Sequence, residues 1–397
     1  MTPRAGDVRR REIGGADPLD RRLGAPPPPP TPIVWLLTLL RTRAALGLAP
    51  SLTPAVIFLP LGALLGPLAL GWLSPPILSR LDIAVTIGLA ILGVLVGIAL
   101  GREVRAAARL LIAASLESFI TIAAVGVATW YFCVSTGLDA GAPTLLVALA
   151  LGLCASASSA TSVDPDSESA AEIVTRVADL DDVLPILLAA VAFAWVPDAA
   201  WSEMRMLALA PIGIGLGVGA IGWLLFERAE SGPERVVFVL GTLALAGGAA
   251  SQLQVSPLLV GLVAGLIWTV APGRADRIVR DDLRKVQHPV VVLLLVAAGA
   301  RWVPSLAAAW LLAPYLLFRL AGKVTGAWVS ARFVDVRSSD LAAYLMPPGV
   351  LAVAFALNFR QMLPADTGET VLSVVALGTA AFELFALLVV PHWRRTA

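Results

Sequence analysis

Charge is scarce in this chain. Only 14% of its 397 residues are Asp, Glu, Lys or Arg, against roughly 25% in soluble domains. With 58% of the residues hydrophobic and a mean hydropathy of +0.84, that shortage excludes an ordinary soluble core. The net charge of +1 offers no basic surface for nucleic acid. Cysteine is limited to Cys133 and Cys154, both in or beside apolar runs, which excludes a disulfide framework or a thiolate metal site. The two histidines, His288 and His392, stand alone near segment ends. Lysine is nearly missing as well: of 29 basic residues, only Lys285 and Lys323 are lysine and the other 27 are arginine. Period-two alternation is also absent, which excludes a transmembrane β-barrel.

What the chain does have is a series of long apolar runs, each near the length that crosses a bilayer. Twelve are found, near residues 54–72, 82–100, 108–134, 143–162, 180–198, 206–226, 235–251, 255–271, 287–302, 305–331, 340–358 and 369–391. The expected class is an all-α polytopic membrane protein with about twelve transmembrane helices. Residues 33–48 read as an interfacial or partial helix, the alternative being a thirteenth span. Residues 1–32 carry six arginines and the run PPPPPTP, and are expected to form a disordered cytoplasmic tail ahead of a transmembrane domain at 33–397. Arginines concentrate in alternate loops: GREVR at 101–105, GRADRIVRDDLRK at 273–285, SARFVDVR at 330–337 and HWRRTA at the end. The positive-inside rule then places both termini in the cytoplasm.

The few charges inside apolar runs carry the functional signal, because charge at membrane depth is costly and marks transport pathways. They are Glu117 in the third run, Asp181 and Asp182 at the entrance of the fifth, Arg319 and Lys323 in the tenth, and Glu383 in the twelfth. The fourth and eleventh runs are broken by CASASSATSVDP (154–165) and by LMPPGVLA (345–352), which holds Pro347, Pro348 and Gly349. Runs three to five start on one side of the membrane and ten to twelve on the other. Paired interruptions in two inverted halves point to a transporter's midplane site, since irregular backbone survives there only where it lines a cavity or is buried. Lys323 is singular in a chain that otherwise uses arginine, and buried lysine, unlike arginine, can give up its proton. Arg319 lies one turn away (i, i+4), so two cations share a helix face and need acidic partners among Asp181, Asp182, Glu117 and Glu383. Pro185 lacks an N–H, which leaves the Asp181 carbonyl without its helical partner and adds an oxygen beside two carboxylates. Burial favours the protonated carboxyl and a nearby cation the ionised one. Such a site can hold protons or a hard monovalent cation, but not both together.

On these residues the chain resembles the cation/proton antiporter superfamily, especially bacterial sodium/proton antiporters, over roughly 54–391. PLGALLGPLALG (60–71) is similar to its early glycine-rich helix and SSATSV (158–163) to its unwound fourth helix. LDDVL (180–184) resembles its paired-aspartate motif, RLAGKVTG (319–326) its lysine-bearing helix and PPGVLAVA (347–354) the crossing partner. The resemblance implies an inverted-repeat fold with two discontinuous crossing helices. The core would be helices at about 108–198 and 305–391, moving against scaffold and dimer helices at about 54–100 and 206–302. It implies that Asp182 is the ion- and proton-binding carboxylate, Asp181 its helper, Lys323 the lysine that pairs with an aspartate when no ion is bound, and Thr161 and Ser162 polar residues at the crossing. It further implies electrogenic exchange, a homodimer in a bacterial-type cytoplasmic membrane, and a role in pH homeostasis. The substrates would be protons and sodium, with lithium or potassium as alternatives; no ATP or redox cofactor is implied. Glycine repeats such as Gly93, Gly97 and Gly101, or Gly213 and Gly217, would let helices pack closely.

One departure stands out. The stretch from Thr161 to Asp182 is shorter than the family pattern and unusually acidic, with Asp164, Asp166, Glu168, Glu172 and Asp179. Two rival readings stay open: a same-fold transporter of potassium or another ion, and a non-transporting homologue acting as sensor or partner. An enzyme is disfavoured, because no His-Glu zinc motif or serine–lysine dyad stands in a suitable context.

Overall fold

The apolar runs become helices because lipid leaves no other way to satisfy the backbone N–H and C=O groups. The computed structural model describes residues 54–104, 108–138, 144–159, 168–194, 201–229, 232–273 and 275–396, within one compact unit, Ser51–Ala397. The expected tail (1–32) and the helix at 33–48 lie outside the described residues, as do Thr161, Ser162, Asp164 and Asp166.

Fourteen helices are described. They are α1 (Pro54–Leu65), α2 (Pro75–Glu103), α3 (Ala108–Thr136), α4 (Thr144–Ser156), α5 (Glu168–Leu180), α6 (Val183–Ala194), α7 (Trp201–Arg228), α8 (Gly232–Gln252), α9 (Pro257–Val270), α10 (Ala275–Ala300), α11 (Leu306–Ser330), α12 (Ser338–Leu345), α13 (Gly349–Met362) and α14 (Ala365–Thr396). Six of them contain a stretch long and apolar enough to cross a membrane; α12 and α13 qualify together as one span bent by 51°; α1, α4 and α9 are shorter apolar helices. This is a polytopic α-helical membrane protein. Local signals open several helices: Pro75 and Pro76 start α2, Ser256 and Pro257 start α9, and the Ser305 hydroxyl accepts from the Ala308 N–H at 3.0 Å to cap α11. Proline at the first turn loses no hydrogen bond, and a serine oxygen satisfies an end N–H.

Two element boundaries differ from the hydropathy reading. The fifth segment begins at Glu168 rather than near 180, so Asp181 and Asp182 sit inside it, in the two-residue turn between α5 and α6. Hydropathy missed α5 because Glu172, Thr175, Arg176 and Asp179 form a polar face along it. The basic stretch at 273–285 is mostly the first turns of α10 rather than a loop.

Helices α2 and α9 interlock through glycine. A Cβ at Gly93 or Gly97 would lie 2.1 Å from the carbonyl oxygen of Leu258 or Leu262; one at Gly261 or Gly265 would lie 2.1 or 2.3 Å from that of Ala90 or Val94. Backbones approach this closely only where both helices lack side chains, and dispersion then replaces the hydrophobic effect as the glue. Gly62 of α1 and Gly299 of α10 repeat the device against Val296 and Leu59. Gly93, Gly97 and Gly101 therefore pack as expected, whereas Gly213 and Gly217 do not: nothing lies within 4 Å of a Cβ at either. The contacting glycines of α7 are Gly215, Gly219 and Gly222, against Val263, Ile267 and Trp268. Both sets repeat at near-helical spacing, and only the rotation of α7 decides which faces the protein.

Candidate ion site at the helix crossing

Helix α4 is 13 residues long, roughly 20 Å at 1.5 Å per residue, so it ends well short of crossing a ~30 Å hydrocarbon layer. Helix α12 likewise stops after eight residues, where Pro347 and Pro348 withdraw two N–H donors. The two irregular strands then meet: the Ser159 N–H donates to the Pro347 carbonyl at 2.8 Å. Gly349 follows with φ +65°, and a Cβ there would lie 2.5 Å from Ser159 Cβ. Only glycine meets both the left-handed backbone and the close approach.

Broken helices leave carbonyls exposed at their C-terminal ends and N–H groups at their N-terminal ends. Arg319 of α11, fully buried, answers the first: its guanidinium donates to the carbonyls of Ala155, Ala157 at 3.1 Å and Met346 at 3.1 Å, and stacks 4.9 Å from the Phe382 ring centroid. Glu383 of α14 answers the second, accepting from the Gly349 N–H at 3.2 Å. Each charge matches the sign of the helix end it meets. The sequence led to an acidic partner for Arg319; among the described residues its hydrogen-bond partners are instead carbonyls from both broken segments.

Lys323, also fully buried, faces Glu117 Oε1 at 3.1 Å, Asp181 Oδ2 at 3.5 Å and the Ser158 hydroxyl at 2.7 Å, and donates to the Ser156 carbonyl. Ser158 in turn donates to Asp181 Oδ2, so the hydroxyl links ammonium and carboxylate. RLAGKVTG has a steric reason: a Cβ at Gly322 would lie 2.9 Å from Thr121 Cα and one at Gly326 3.1 Å from Glu117 Cγ. These glycines let α3 reach Lys323.

The aspartates differ. Asp181 is anchored by Ser158 and Lys323, and its main-chain carbonyl accepts from the Ser118 hydroxyl at 2.6 Å. Pro185 withholds the helical donor from that carbonyl, as the sequence indicates, but Ser118 supplies another. The expectation of an unpaired oxygen there is corrected accordingly. Asp182 is 1% exposed, and neither of its carboxylate oxygens has a hydrogen-bond partner among the described residues. Oxygen ligands of this kind suit hard cations or a proton.

The structure thus brings together Asp181, Asp182, Lys323 and Glu117, with Arg319 and Glu383 on the broken helix ends; Thr161 and Ser162 lie outside the described residues. Sequence reasoning missed Ser158 and Ser118. Ser158 lies within the quoted SSATSV, yet nothing local separates it from its neighbours. Cys133 and Cys154 are buried free thiols.

Two discontinuous segments thus cross beside buried carboxylates and a lysine. No family model matches the sequence, and no curated protein matches it. Among solved structures, the chain is similar to the sodium/proton antiporter MjNhaP1 from Methanocaldococcus jannaschii, with a TM-score of 0.62, 15% identity, and coverage of 85% of this chain and 90% of that one.

Proposed function

We propose that this protein is a secondary transporter exchanging protons for a monovalent cation, sodium first, at Asp182. The observation that carries the reading is the buried carboxylate of Asp182, both oxygens without a hydrogen-bond partner among the described residues, beside a second aspartate and a titratable amine at a helix crossing. A buried carboxylate in this position is stable protonated or cation-bound and unstable bare. Proton and cation therefore compete for it. Asp181 completes the cation's oxygen set, and Lys323 compensates it when the cation leaves. Thr161 and Ser162, which follow Ser158 and Ser159 in the sequence, are assigned a supporting role in the same site.

The charge balance supports electrogenic exchange. Glu117 and Asp181 contact the Lys323 ammonium and Asp182 adjoins Asp181, so with all three carboxylates ionised two further positive charges neutralise the cluster. Arg319 is directed to carbonyl dipoles. The helices at 108–198 and 305–391 form an inverted pair that moves against the remaining helices, exposing the site to one side at a time. The protein works as a homodimer in a bacterial-type cytoplasmic membrane, termini inside, in pH homeostasis.

The test is dissipation of a preset pH gradient by sodium, lithium or potassium in vesicles carrying the protein, beside Asp182→Asn. One cation should collapse the gradient with the native protein and leave it standing with the variant. A gradient untouched by all three cations, with folded protein present, contradicts the reading. Collapse by potassium alone would move the assignment to a potassium exchanger of the same fold.

A further inference from the structure

Among the described residues Glu117 is the carboxylate nearest to Lys323, and the paired-aspartate scheme gives it no task. It is fully buried, with its two oxygens 3.1 and 3.3 Å from Nζ, closer than Asp181 at 3.5 Å. The Thr121 hydroxyl donates to Oε1 at 3.0 Å and orients it. Three residues on α3 thus act together: Glu117 holds the ammonium, Thr121 aims Glu117, and Ser118 holds the Asp181 backbone at 2.6 Å. The α11 glycines on either side of Lys323 clear the space for Glu117 and Thr121. Asp182 adjoins Asp181 with neither oxygen hydrogen-bonded among the described residues, Asp179 of α5 lies near Arg102 and Glu103, and further charged groups are engaged elsewhere. Arg319 is turned to carbonyls, and Arg176 of α5 pairs with Glu103 of α2 and Glu172. Glu383 of α14 meets the start of α13, and Cys154 of α4 is a buried thiol.

A buried ammonium separated from its only carboxylate costs several kcal/mol. If Lys323 had Asp181 alone, every cation arriving at the aspartates would have to bear that penalty. A second carboxylate within reach of the same Nζ removes it, because a shift of the amine's tip changes partner without leaving it unpaired.

We infer that Glu117 is a positioning residue that receives Lys323 whenever a cation occupies the aspartates, so that the lysine alternates between Asp181 and Glu117. This rests on the exchange reading above. Substituting Glu117→Gln keeps the side chain's shape and an acceptor for Thr121 but removes its charge. Lys323 then stays on Asp181 and opposes the cation. Loss of one negative charge also lets protons leave the aspartates more readily.

The experiment uses the purified full chain in proteoliposomes, reading cation-driven gradient collapse against cation concentration and pH for the native protein, Glu117→Gln, Glu117→Asp and Asp182→Asn. Glu117→Gln should raise the half-maximal cation concentration about tenfold, the effect of losing one close charge interaction, and move the pH of half-maximal activity to lower values. Glu117→Asp should recover most of both. A folded Glu117→Gln protein with native concentration and pH dependence overturns the inference, and so does equal impairment of the Gln and Asp variants, which would mark a packing role. If the native protein is itself silent, the exchange reading fails. The pairing is then read from melting temperatures in a Glu117→Gln, Lys323→Gln double-mutant cycle, where simple additivity overturns it.

Discussion

Two sets of helices in this molecule both use close glycine approaches but differ in the charge their interiors hold. In α3–α6 and α11–α14 the interior contains Glu117, Asp181, Asp182, Arg319, Lys323 and Glu383, all with at most 1% of their surface exposed. In α1, α2 and α7–α10 the buried charges, such as Glu103, Asp282 and Arg301, lie near helix ends, and the middle is closed by glycine against backbone carbonyl. Close-packed backbone contacts have one good arrangement and resist sliding. A polar cluster whose members can exchange partners has several of similar energy. On the exchange reading proposed above, the first set is the one that switches and the second the one that stays.

Substitutions in the two sets should therefore fail in different ways. The largest effect is expected at the crossing itself. Gly349→Ala combines a left-handed backbone with an overlap on Ser159 and should lower stability by about 3 kcal/mol, read as an early melting transition in detergent. A native melting curve would mean that the crossing relaxes at little cost. Next, Gly97→Ala drives a methyl into the Leu262 carbonyl. It should lower stability by about 1–3 kcal/mol while leaving the half-maximal cation concentration of the surviving protein unchanged. A change in cation dependence there would erase the division between the two sets. Ser158→Ala should do the reverse. It removes the hydroxyl joining Lys323 to Asp181, costs about 1 kcal/mol, and shifts cation dependence severalfold with little change in melting. The smallest effect belongs to Gly213→Ala, where a Cβ meets nothing and helix propensity favours alanine by about 1 kcal/mol. A clear loss of stability at that position would show that another chain covers this face of α7.

How much of this was legible beforehand follows the same division. Charge inside an apolar run is conspicuous, so Asp181, Asp182, Lys323, Glu117, Arg319 and Glu383 were all visible, as were the breaks at Pro347, Pro348 and Gly349. The partners were not. Arg319 looked as if it needed an acid, because sequence shows side chains and hides the carbonyls that a broken helix exposes. Ser118 and Ser158 are ordinary serines until tertiary packing places them within 3 Å of Asp181. Helix α5 was hidden by its own polar face. The glycines of α7 were visible as a repeat, but Gly213 and Gly217 could be told from Gly215, Gly219 and Gly222 only once the rotation of that helix was known.

The central claim is that proton and cation compete for Asp182. Its most direct test is calorimetric titration of the purified protein with sodium at several pH values, with Asp182→Asn as control. If each bound cation displaces one proton, apparent affinity should weaken about tenfold per pH unit on the acid side, and binding should vanish in Asp182→Asn. Affinity that is independent of pH, or native binding by Asp182→Asn, would contradict the account.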